Sequence, residues 1–407
     1  MRENMSEAKK KIGILTFHTS INNGAVMQAY SLSKRIKQEN PNWSVEIIDY
    51  QMPKVIEAYR YSIWKSIKSS NPIVFAKRFV KFLQNIDYAK KMNERTKVFE
   101  KVRHQLPLSS DSLLSDRTDE LFPYINEHYD ALVVGSDAVW NYCLRGFPNA
   151  YFPDATVTVK KLSYAASCYG MDFLQISEDV KCQIGKIFND FSFLGVRDTA
   201  TQEMVRWSNC GKTPIHVCDP TVFLDVNDLP VDILALNERL RERGFNFNRP
   251  TIGIMGNEKM LKMIRRFFGK EYQIAAMYIP LKGADVNLYD LTPYEWAYVF
   301  RYFRMTFTTY FHGTLLSLRN GVPVVCIALK NEFAKKHIPK TLDVLTRLGY
   351  ESWYHETDYV DQNIEAIKGT AEMMLSTDLK EEILERMDQE AQSFSRFQEA
   401  LKKALEE

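Results

Sequence analysis

The sequence predicts an α/β protein built from two parallel-sheet halves that face each other across a cleft, with a helical insertion in the first half and a helical C-terminus. Three observations support this fold class. Short apolar runs alternate with helical patterns, as in strand–helix–strand units of a parallel sheet. The 407 residues are enough for two domains. A polar stretch at residues 226–249 separates the two halves.

The first half is predicted to span residues 11–225. Residues 11–17 form a short apolar run, a turn follows, and a helical pattern starts at Gly24 and stops at Pro41. Residues 45–50 give a second strand, so the helix connects two parallel strands by a right-handed crossover. Four more strands are predicted in this half, at residues 131–137, 162–167, 193–198 and 215–221.

Residues of about 53–106 have a different character, because aromatic side chains alternate with lysines and arginines. We predict that they form a helical insertion. Its basic, aromatic face is suited to an anionic glycan or to peripheral contact with a membrane surface. A solvated face beside an aromatic stripe in the core explains the same composition, since lysine and arginine are mostly exposed.

The second half is predicted to span residues 250–375, after a linker at 226–249 that contains one helix. Residues 376–407 are polar and helical and can pack back on the first half. Facing domains place the default ligand site in the cleft between them. Strands of the second half are expected at residues 251–255, 274–279, 305–309 and 324–329, with helical patterns between them.

Composition narrows the function. The chain has 53 basic and 51 acidic residues, so its net charge of +2 lacks the basic excess of a nucleic-acid-binding protein. The six cysteines form no C-x-x-C pair, which argues against a zinc site or a disulfide framework and for a reducing compartment. The polar N-terminus and the lack of a long apolar run predict a cytoplasmic protein.

The segment at residues 310–314 is the strongest candidate for chemistry. It lies between a predicted strand and a short helix at residues 315–320, so backbone N–H groups and the positive end of the helix point at the cleft, as in an anion site. His312 lies at the turn itself, where the helix end favours a neutral imidazole that can shuttle a proton. The alternative is a histidine that only caps the helix or packs the corner.

A second candidate follows the apolar residues 131–134. Gly135 permits a tight turn, and Ser136 and Asp137 can cap a helix or bond a sugar hydroxyl. Trp140 can stack on a sugar ring, with Asn141 beside it. Capping alone explains this turn equally well.

Two further strand ends carry polar residues. Asn23 and Gly24 lie where α/β domains often bind phosphate, with an ordinary turn as the alternative. The G-x-G-x-x-G motif is incomplete there, so we expect no dinucleotide cofactor. Arg197 ends another strand, and its planar fork suits a carboxylate or phosphate unless Asp198 uses it locally. Asp219 is predicted to belong to a turn.

Ordered sequence blocks resemble the polysaccharide pyruvyl transferase family. They cover about residues 11–350 in family order, and V-V-G-S-D-A-V-W-N is the most specific of them. The blocks are G-I-L-T-F-H at 13–18, N-N-G-A-x-x-Q-A-Y at 22–30, I-D-Y at 48–50, V-V-G-S-D-A-V-W-N at 133–141, S-Y-A-A-S at 163–167, V-R-D at 196–198, C-D-P-T at 218–221 and F-H-G-T-L-L-S-L-R-N-G-V-P at 311–323.

The resemblance implies two Rossmann-like domains arranged as in GT-B glycosyltransferases. It also implies a transferase that moves a pyruvyl group from phosphoenolpyruvate to two sugar hydroxyls, giving a cyclic ketal, with no cofactor and no metal. The acceptor would be an exopolysaccharide, a cell-wall polymer or a lipid-linked precursor. His312 would act as general acid or base, an effect of about 10²–10⁴-fold on rate. The donor-binding residues would be Arg197, Asn23, Gly24, Gly313, Thr314 and Lys340, and the acceptor-binding residues Gly135, Ser136, Asp137, Trp140 and Asn141.

Two positions depart from the family pattern. Tyr310 stands where some members carry an arginine, and Lys340 stands where many carry another. A lysine is a point charge without the arginine fork, so Lys330 and Lys336 are candidates to complete the anion site. Two other functions remain open: a GT-B-type glycosyltransferase that uses a nucleotide sugar, and a non-catalytic glycan-binding component of a polysaccharide assembly complex.

Overall fold

The structure is a computed structural model that describes residues 9–53, 86–115, 117–144, 146–328, 336–357 and 364–407. Most of the predicted helical insertion, residues 54–85, lies outside the described residues, and so does Lys330. The described part of the chain forms two α/β halves, each around a parallel sheet.

The first half contains a sheet of seven parallel strands in its described part. The strands are β1 (Lys11–Leu15), β2 (Ser44–Gln51), β3 (Leu108–Leu114), β4 (Ala131–Val134), β5 (Lys160–Ala166), β6 (Phe193–Val196) and β7 (Ile215–His216). Their order in the sheet is β3-β2-β1-β4-β5-β6-β7. The helices are α1 (Asn23–Glu39), α2 (Ile86–Arg103), α3 (Thr118–His128), α4 (Glu178–Asn189) and α5 (Thr199–Trp207). Because the strands are parallel, their carboxyl ends share one edge, where such sheets bind ligands.

The second half repeats this plan with six strands among the described residues. The strands are β8 (Thr251–Met255), β9 (Gln273–Ala276), β10 (Val286–Asn287), β11 (Met305–Thr308), β12 (Val324–Ala328) and β13 (Tyr354–Glu356). Their order is β10-β9-β8-β11-β12-β13. The helices from the linker onwards are α6 (Ile233–Glu242), α7 (Glu258–Phe268), α8 (Pro293–Val299), α9 (Phe311–Arg319), α10 (Lys340–Arg347), α11 (Ile364–Ser376), α12 (Lys380–Ala391) and α13 (Phe394–Glu406).

The two halves share buried apolar surface. One hydrophobic cluster combines Met27 of α1 and Phe99 of α2 with Tyr294 of α8 and Leu316 of α9. The C-terminal helix α13 packs back on β5 and β6, where Phe397 is fully buried. Burial of apolar surface between the halves stabilises their arrangement and so fixes the walls of the cleft. Among the described helices, none is both long and apolar enough to cross a bilayer.

Three differences from the predicted elements matter for the site. The helix expected at residues 315–320 begins at Phe311, so His312 lies inside its first turn and not before it. The strand expected at residues 131–137 ends at Val134, which leaves the following residues free to turn towards the cleft. Strand β3 was not predicted, because its sequence, LSSDSLL, is polar and lies at the edge of the sheet.

Candidate active site

The carboxyl ends of the two sheets meet around the first turn of α9. In the first half, β4 leads to Asp137, β6 to Arg197 and β7 to Asp219. In the second half, β11 leads to α9, whose second residue is His312. Ends of parallel strands therefore bring polar residues that are far apart in sequence to one place.

Asp219 is the centre of this group. It is 2% exposed, and its Oδ2 accepts a hydrogen bond from Arg197 Nη1 at 2.8 Å and lies 3.6 Å from His312 Nε2. Its Oδ1 accepts from the backbone N–H of Thr221 at 3.0 Å and from the Thr221 hydroxyl at 2.7 Å. Burial acts to raise the pKa of Asp219, but His312 and Arg197 outweigh it and hold the pKa well below its usual range. Asp219 is therefore a carboxylate.

Arg197 connects two carboxylates. Nη1 donates to Asp219 and Nη2 donates to Asp137 at 3.3 Å, while the guanidinium lies 4.7 Å from the centre of the Phe311 ring. The side chain is 1% exposed, and its Nε has no hydrogen-bond partner among the described residues. The fork expected to clamp the donor is thus occupied inside the protein, because two aspartates take both terminal nitrogens. In this structure Arg197 therefore organises the two carboxylates, and donor binding by Arg197 stays a prediction.

His312 packs directly on the start of α1. A Cβ added to Gly24 would lie 2.1 Å from His312 Nδ1, so only glycine permits this approach. The imidazole is 8% exposed, with Nε2 turned to Asp219. Gly24 thus serves close packing of the two halves, and its contact with the donor stays a prediction.

The two helix ends in the cleft differ in their capping. At α1, the side chain of Asn22 accepts from the N–H groups of Gly24 and Ala25, at 3.0 and 3.4 Å. At α9, no side chain caps the helix, and the N–H groups of residues 311–313 have no partner in the described part of the chain. Free N–H groups and the positive helix end favour α9 over α1 as the candidate anion site.

Two residues of α9 that are predicted to bind the donor make internal contacts in the structure. The hydroxyl of Thr314 donates to the Tyr310 carbonyl at 3.2 Å and contacts Cys326 Sγ at 3.1 Å. A Cβ on Gly313 would lie 2.7 Å from Thr308 Oγ1, so glycine is needed for the helix to pack on β11. The side chain of Thr314 is therefore unavailable to a donor, and Gly313 contributes only its backbone.

Lys340 also contacts the Phe311 ring. Its Nζ is 5.0 Å from the centre of the Phe311 ring and 4.7 Å from that of Tyr169. Burial, aided by Arg197, lowers the pKa of Lys340 to about 8. In the described part of the chain its ammonium has no ion pair, whereas Lys336 pairs with Asp172. Lys340 is therefore a cation of the site without an ion-pair partner among the described residues.

Asn23 provides a second unsatisfied group. It is fully buried, and neither Oδ1 nor Nδ2 has a hydrogen-bond partner in the described residues. A buried amide without partners costs free energy, which a ligand with donors and acceptors would relieve. The predicted place of Asn23 at the site is consistent with this.

The segment at residues 135–141 divides into structural and available residues. A Cβ on Gly135 would lie 2.3 Å from the Tyr164 carbonyl oxygen, and Ser136 hydrogen-bonds to Gln28 while fully buried. Trp140 is also fully buried, and its Nε1 donates to the Tyr151 carbonyl at 3.0 Å. These residues build the fold, so sugar binding by Ser136 and sugar stacking by Trp140 have no support in this arrangement and stay predictions.

Asp137 and Asn141 remain as candidates for the acceptor. Burial acts to raise the pKa of Asp137, but Arg197, His312 and Lys340 lower it overall, so Asp137 is ionised. Asn141 donates from Nδ2 to the Tyr169 carbonyl at 2.8 Å, and its Oδ1 has no partner among the described residues. A carboxylate and a free amide oxygen can both accept hydrogen bonds from sugar hydroxyls.

The structure adds residues that sequence reasoning missed. Asp219, expected in a turn, is the shared partner of Arg197 and His312. Phe311 and Tyr169 form the aromatic contacts of Lys340. The available signal for Asp219 was its place just after a strand in the C-D-P-T block, where α/β sheets put functional residues.

Comparison with known proteins gives a family and a fold. Residues 22–331 match the family described as polysaccharide pyruvyl transferase, a stretch that includes the central site residues apart from Lys340. No curated protein sequence matches the chain significantly.

Several solved structures are similar to the chain at low sequence identity. A Listeria monocytogenes protein assigned as a UDP-N-acetylglucosamine 2-epimerase has 12% identity and a TM-score of 0.51, covering 98% of this chain and 97% of that chain. The Neisseria meningitidis UDP-GlcNAc 2-epimerase has 8% identity and a TM-score of 0.46, covering 95% and 100%. A glycosyl transferase family 9 structure from Veillonella parvula has 10% identity and a TM-score of 0.38, covering 90% and 97%. With the two parallel sheets, the Listeria likeness confirms the predicted GT-B-like α/β fold.

Proposed function

The chain belongs to the polysaccharide pyruvyl transferase family, and from this premise we propose that it transfers a pyruvyl group from phosphoenolpyruvate to two hydroxyls of one sugar residue, forming a cyclic ketal. The acceptor is a polysaccharide or its lipid-linked precursor. The reaction as proposed needs neither a metal nor a cofactor.

One observation carries this proposal: an anion site and a proton-transfer group share the first turn of α9. Among the described residues, the N–H groups of residues 311–313 and the ammonium of Lys340 have no partner, and they suit a phosphate or carboxylate. His312 belongs to the same turn. A donor held there by its anionic groups therefore lies next to an imidazole.

The chemistry follows from these groups. His312 donates a proton to the terminal carbon of phosphoenolpyruvate, and C2 gains oxocarbenium character. One sugar hydroxyl forms a C–O bond to C2 and loses its proton to a base, for which the neutral imidazole is now available. The C–O bond to phosphate then breaks, and the second hydroxyl closes the ketal. Of the two hydroxyl protons, one replaces the proton given to the terminal carbon and the other leaves with phosphate.

Asp219 and Arg197 support this cycle without touching the donor. The Asp219 carboxylate lies 3.6 Å from His312 Nε2, where it orients the ring. Arg197 bridges Asp219 and Asp137, and its positive charge favours the ionised form of both carboxyl groups. On the acceptor side, Asp137 and the free Oδ1 of Asn141 orient sugar hydroxyls.

The test is a turnover assay with purified protein, phosphoenolpyruvate and a panel of galactosides, glucosides and mannosides that carry neighbouring hydroxyls. We expect release of inorganic phosphate that depends on the sugar, and a new ketal methyl signal in the NMR spectrum of the product. Consumption of a UDP-sugar with no phosphate release from phosphoenolpyruvate would contradict the proposal in favour of glycosyl transfer. Sugar binding without turnover of either donor would contradict it in favour of a glycan-binding protein.

A further inference from the structure

Helix α2 is anchored in both halves of the protein. At its C-terminal end, Arg103 donates from Nη2 to both carboxylate oxygens of Asp49, at 2.7 and 2.6 Å, and so ties α2 to β2 of the first sheet. Two turns earlier, Arg95 of the same helix reaches the second half. Arg95 is 4% exposed, so its charge is held inside the protein.

Arg95 contacts the ends of two strands in the second half. Its Nη1 donates to the backbone carbonyls of Tyr278, beyond β9, and Tyr289, beyond β10, each at 3.0 Å. Its guanidinium also lies 4.3 Å from the centre of the Tyr278 ring. Glu94, the neighbouring residue, accepts a hydrogen bond from the Tyr289 hydroxyl at 3.0 Å. Arg95 therefore combines charge-assisted hydrogen bonds to carbonyls with a cation–π contact, a combination that suits the planar guanidinium better than an ammonium.

The Tyr278 ring connects Arg95 to the candidate active site, because it also contacts Tyr310. Its centre lies 4.5 Å from that of Tyr310, with the planes tilted by 36°. Arg95 and Tyr310 thus both contact the Tyr278 ring, with the guanidinium 4.3 Å and the Tyr310 ring centre 4.5 Å from the centre of that ring. Tyr310 is the N-cap residue of α9, directly before its first residue and two positions before His312. Its backbone N–H is held by Thr308 Oγ1 at 2.9 Å.

We propose that Arg95 is a positioning residue for His312. It acts from the first half, through the stack of Tyr278 on Tyr310, and sets where the first turn of α9 lies relative to Asp219. The placement of a proton-transfer group matters because a misplacement of about 1 Å can cost about 10²-fold in rate. This inference rests on the proposed function for its kinetic consequence, but the predicted movement of His312 is a property of the resting protein.

The experiment compares Arg95→Met and Arg95→Lys with wild type. We expect Arg95→Met to lower kcat by about 10-fold while the KM for phosphoenolpyruvate stays within about twofold, since the anion site is intact. Arg95→Lys keeps a cation over Tyr278 and should recover part of kcat. In protein labelled with ¹³C-histidine and free of substrate, the His312 resonance, assigned with His312→Gln, should move in Arg95→Met.

The matched control is Arg301→Met. Arg301 also lies over a tyrosine, 3.8 Å from the Tyr298 ring centre, and donates to the Val226 carbonyl at 3.3 Å, but it has no contact with the site in the described residues. It should leave both kcat and the His312 resonance unchanged. Tyr278→Leu breaks the same stack from its other end and should reproduce the Arg95→Met effects even if Arg95→Met does not fold.

Two results would overturn the inference. One is an Arg95→Met protein, or a Tyr278→Leu protein, whose His312 resonance and kcat equal those of wild type. The other is an equal loss of kcat in Arg301→Met, which would show that loss of any arginine–tyrosine contact lowers kcat, whether or not it reaches His312. If wild type transfers no pyruvyl group, the proposed function fails, but the histidine resonance still decides the role of Arg95.

Discussion

Arg197 and His312 meet at one oxygen of Asp219, with Arg197 Nη1 at 2.8 Å and His312 Nε2 at 3.6 Å, although the first lies in the first half of the chain and the second in the other. The shared carboxylate links the two walls of the cleft. The two side chains differ in what they can still bind. Arg197 is hydrogen-bonded to two aspartates, whereas His312 Nε2 has no hydrogen-bond partner among the described residues. Substitutions at His312, Arg197 or Asp219 should therefore change kcat more than the KM for the donor.

Replacement of His312 by alanine should lower kcat by about 10²–10⁴-fold, because general acid–base catalysis contributes about that much. The KM for phosphoenolpyruvate should change little, since the α9 backbone and Lys340 remain. Phosphate release at saturating donor measures the first effect, and a thermal melt should show a midpoint within a few degrees of wild type. His104→Ala, at an exposed position, is the control. A His312→Ala protein that unfolds would mean that the histidine serves the fold.

Much of the fold could be predicted from the sequence, because parallel strands that are buried on both faces give short apolar runs between helices. The site was predicted less completely. His312 and Asn23 were found from their places after strands, but a strand end alone does not tell which groups neutralise each other. Only the coordinates show that two aspartates occupy the Arg197 fork and that Trp140 points into the core. Such partners depend on tertiary contacts between segments more than 20 residues apart, as for Arg197 and Asp219.

The donor affinity should depend on pH through Lys340. With a pKa of about 8, Lys340 carries its charge below pH 8 and loses it progressively above. The KM for phosphoenolpyruvate is therefore expected to rise from pH 8 to pH 10 in wild type. Lys340→Arg stays charged over this range and should show a flat KM, at some cost in geometry. A wild-type KM that rises equally in Lys340→Arg would assign the titration to another group.

The same lysine should reduce stability in the absence of donor. Its pKa in the folded protein, about 8, lies below the ordinary value of 10.5, so the unfolded chain binds more protons between these values. The free energy of unfolding should then rise with pH across that window. Lys340→Met removes the half-buried charge and should raise the thermal midpoint at pH 7 while it weakens donor binding. A lower midpoint for Lys340→Met in donor-free buffer would contradict this.

Gly24→Ala should displace His312. The added methyl carbon would lie 2.1 Å from Nδ1, so the imidazole must move or the two halves must separate. We expect a loss of kcat of about 10²-fold, by analogy with other misplaced catalytic groups. Gly369→Ala is the matched control, because it lies in α11 with no atom within 4 Å of the added carbon and should be neutral or stabilising by about 0.5–1 kcal/mol. Equal activities of the two variants would show that the contact is unimportant.

Replacement of Trp140 should lower the stability of the protein, whereas replacement of its neighbour Asn141 should weaken acceptor binding. Trp140→Phe loses the hydrogen bond to the Tyr151 carbonyl and some buried volume, so unfolding should become easier by about 1–3 kcal/mol. The acceptor KM should not change, because the indole has no exposed face. Asn141→Ala removes the free Oδ1 and should raise the acceptor KM several-fold. Chemical denaturation and acceptor titrations on both proteins measure the two effects. A larger rise in acceptor KM for Trp140→Phe than for Asn141→Ala would restore the tryptophan as a sugar-binding residue.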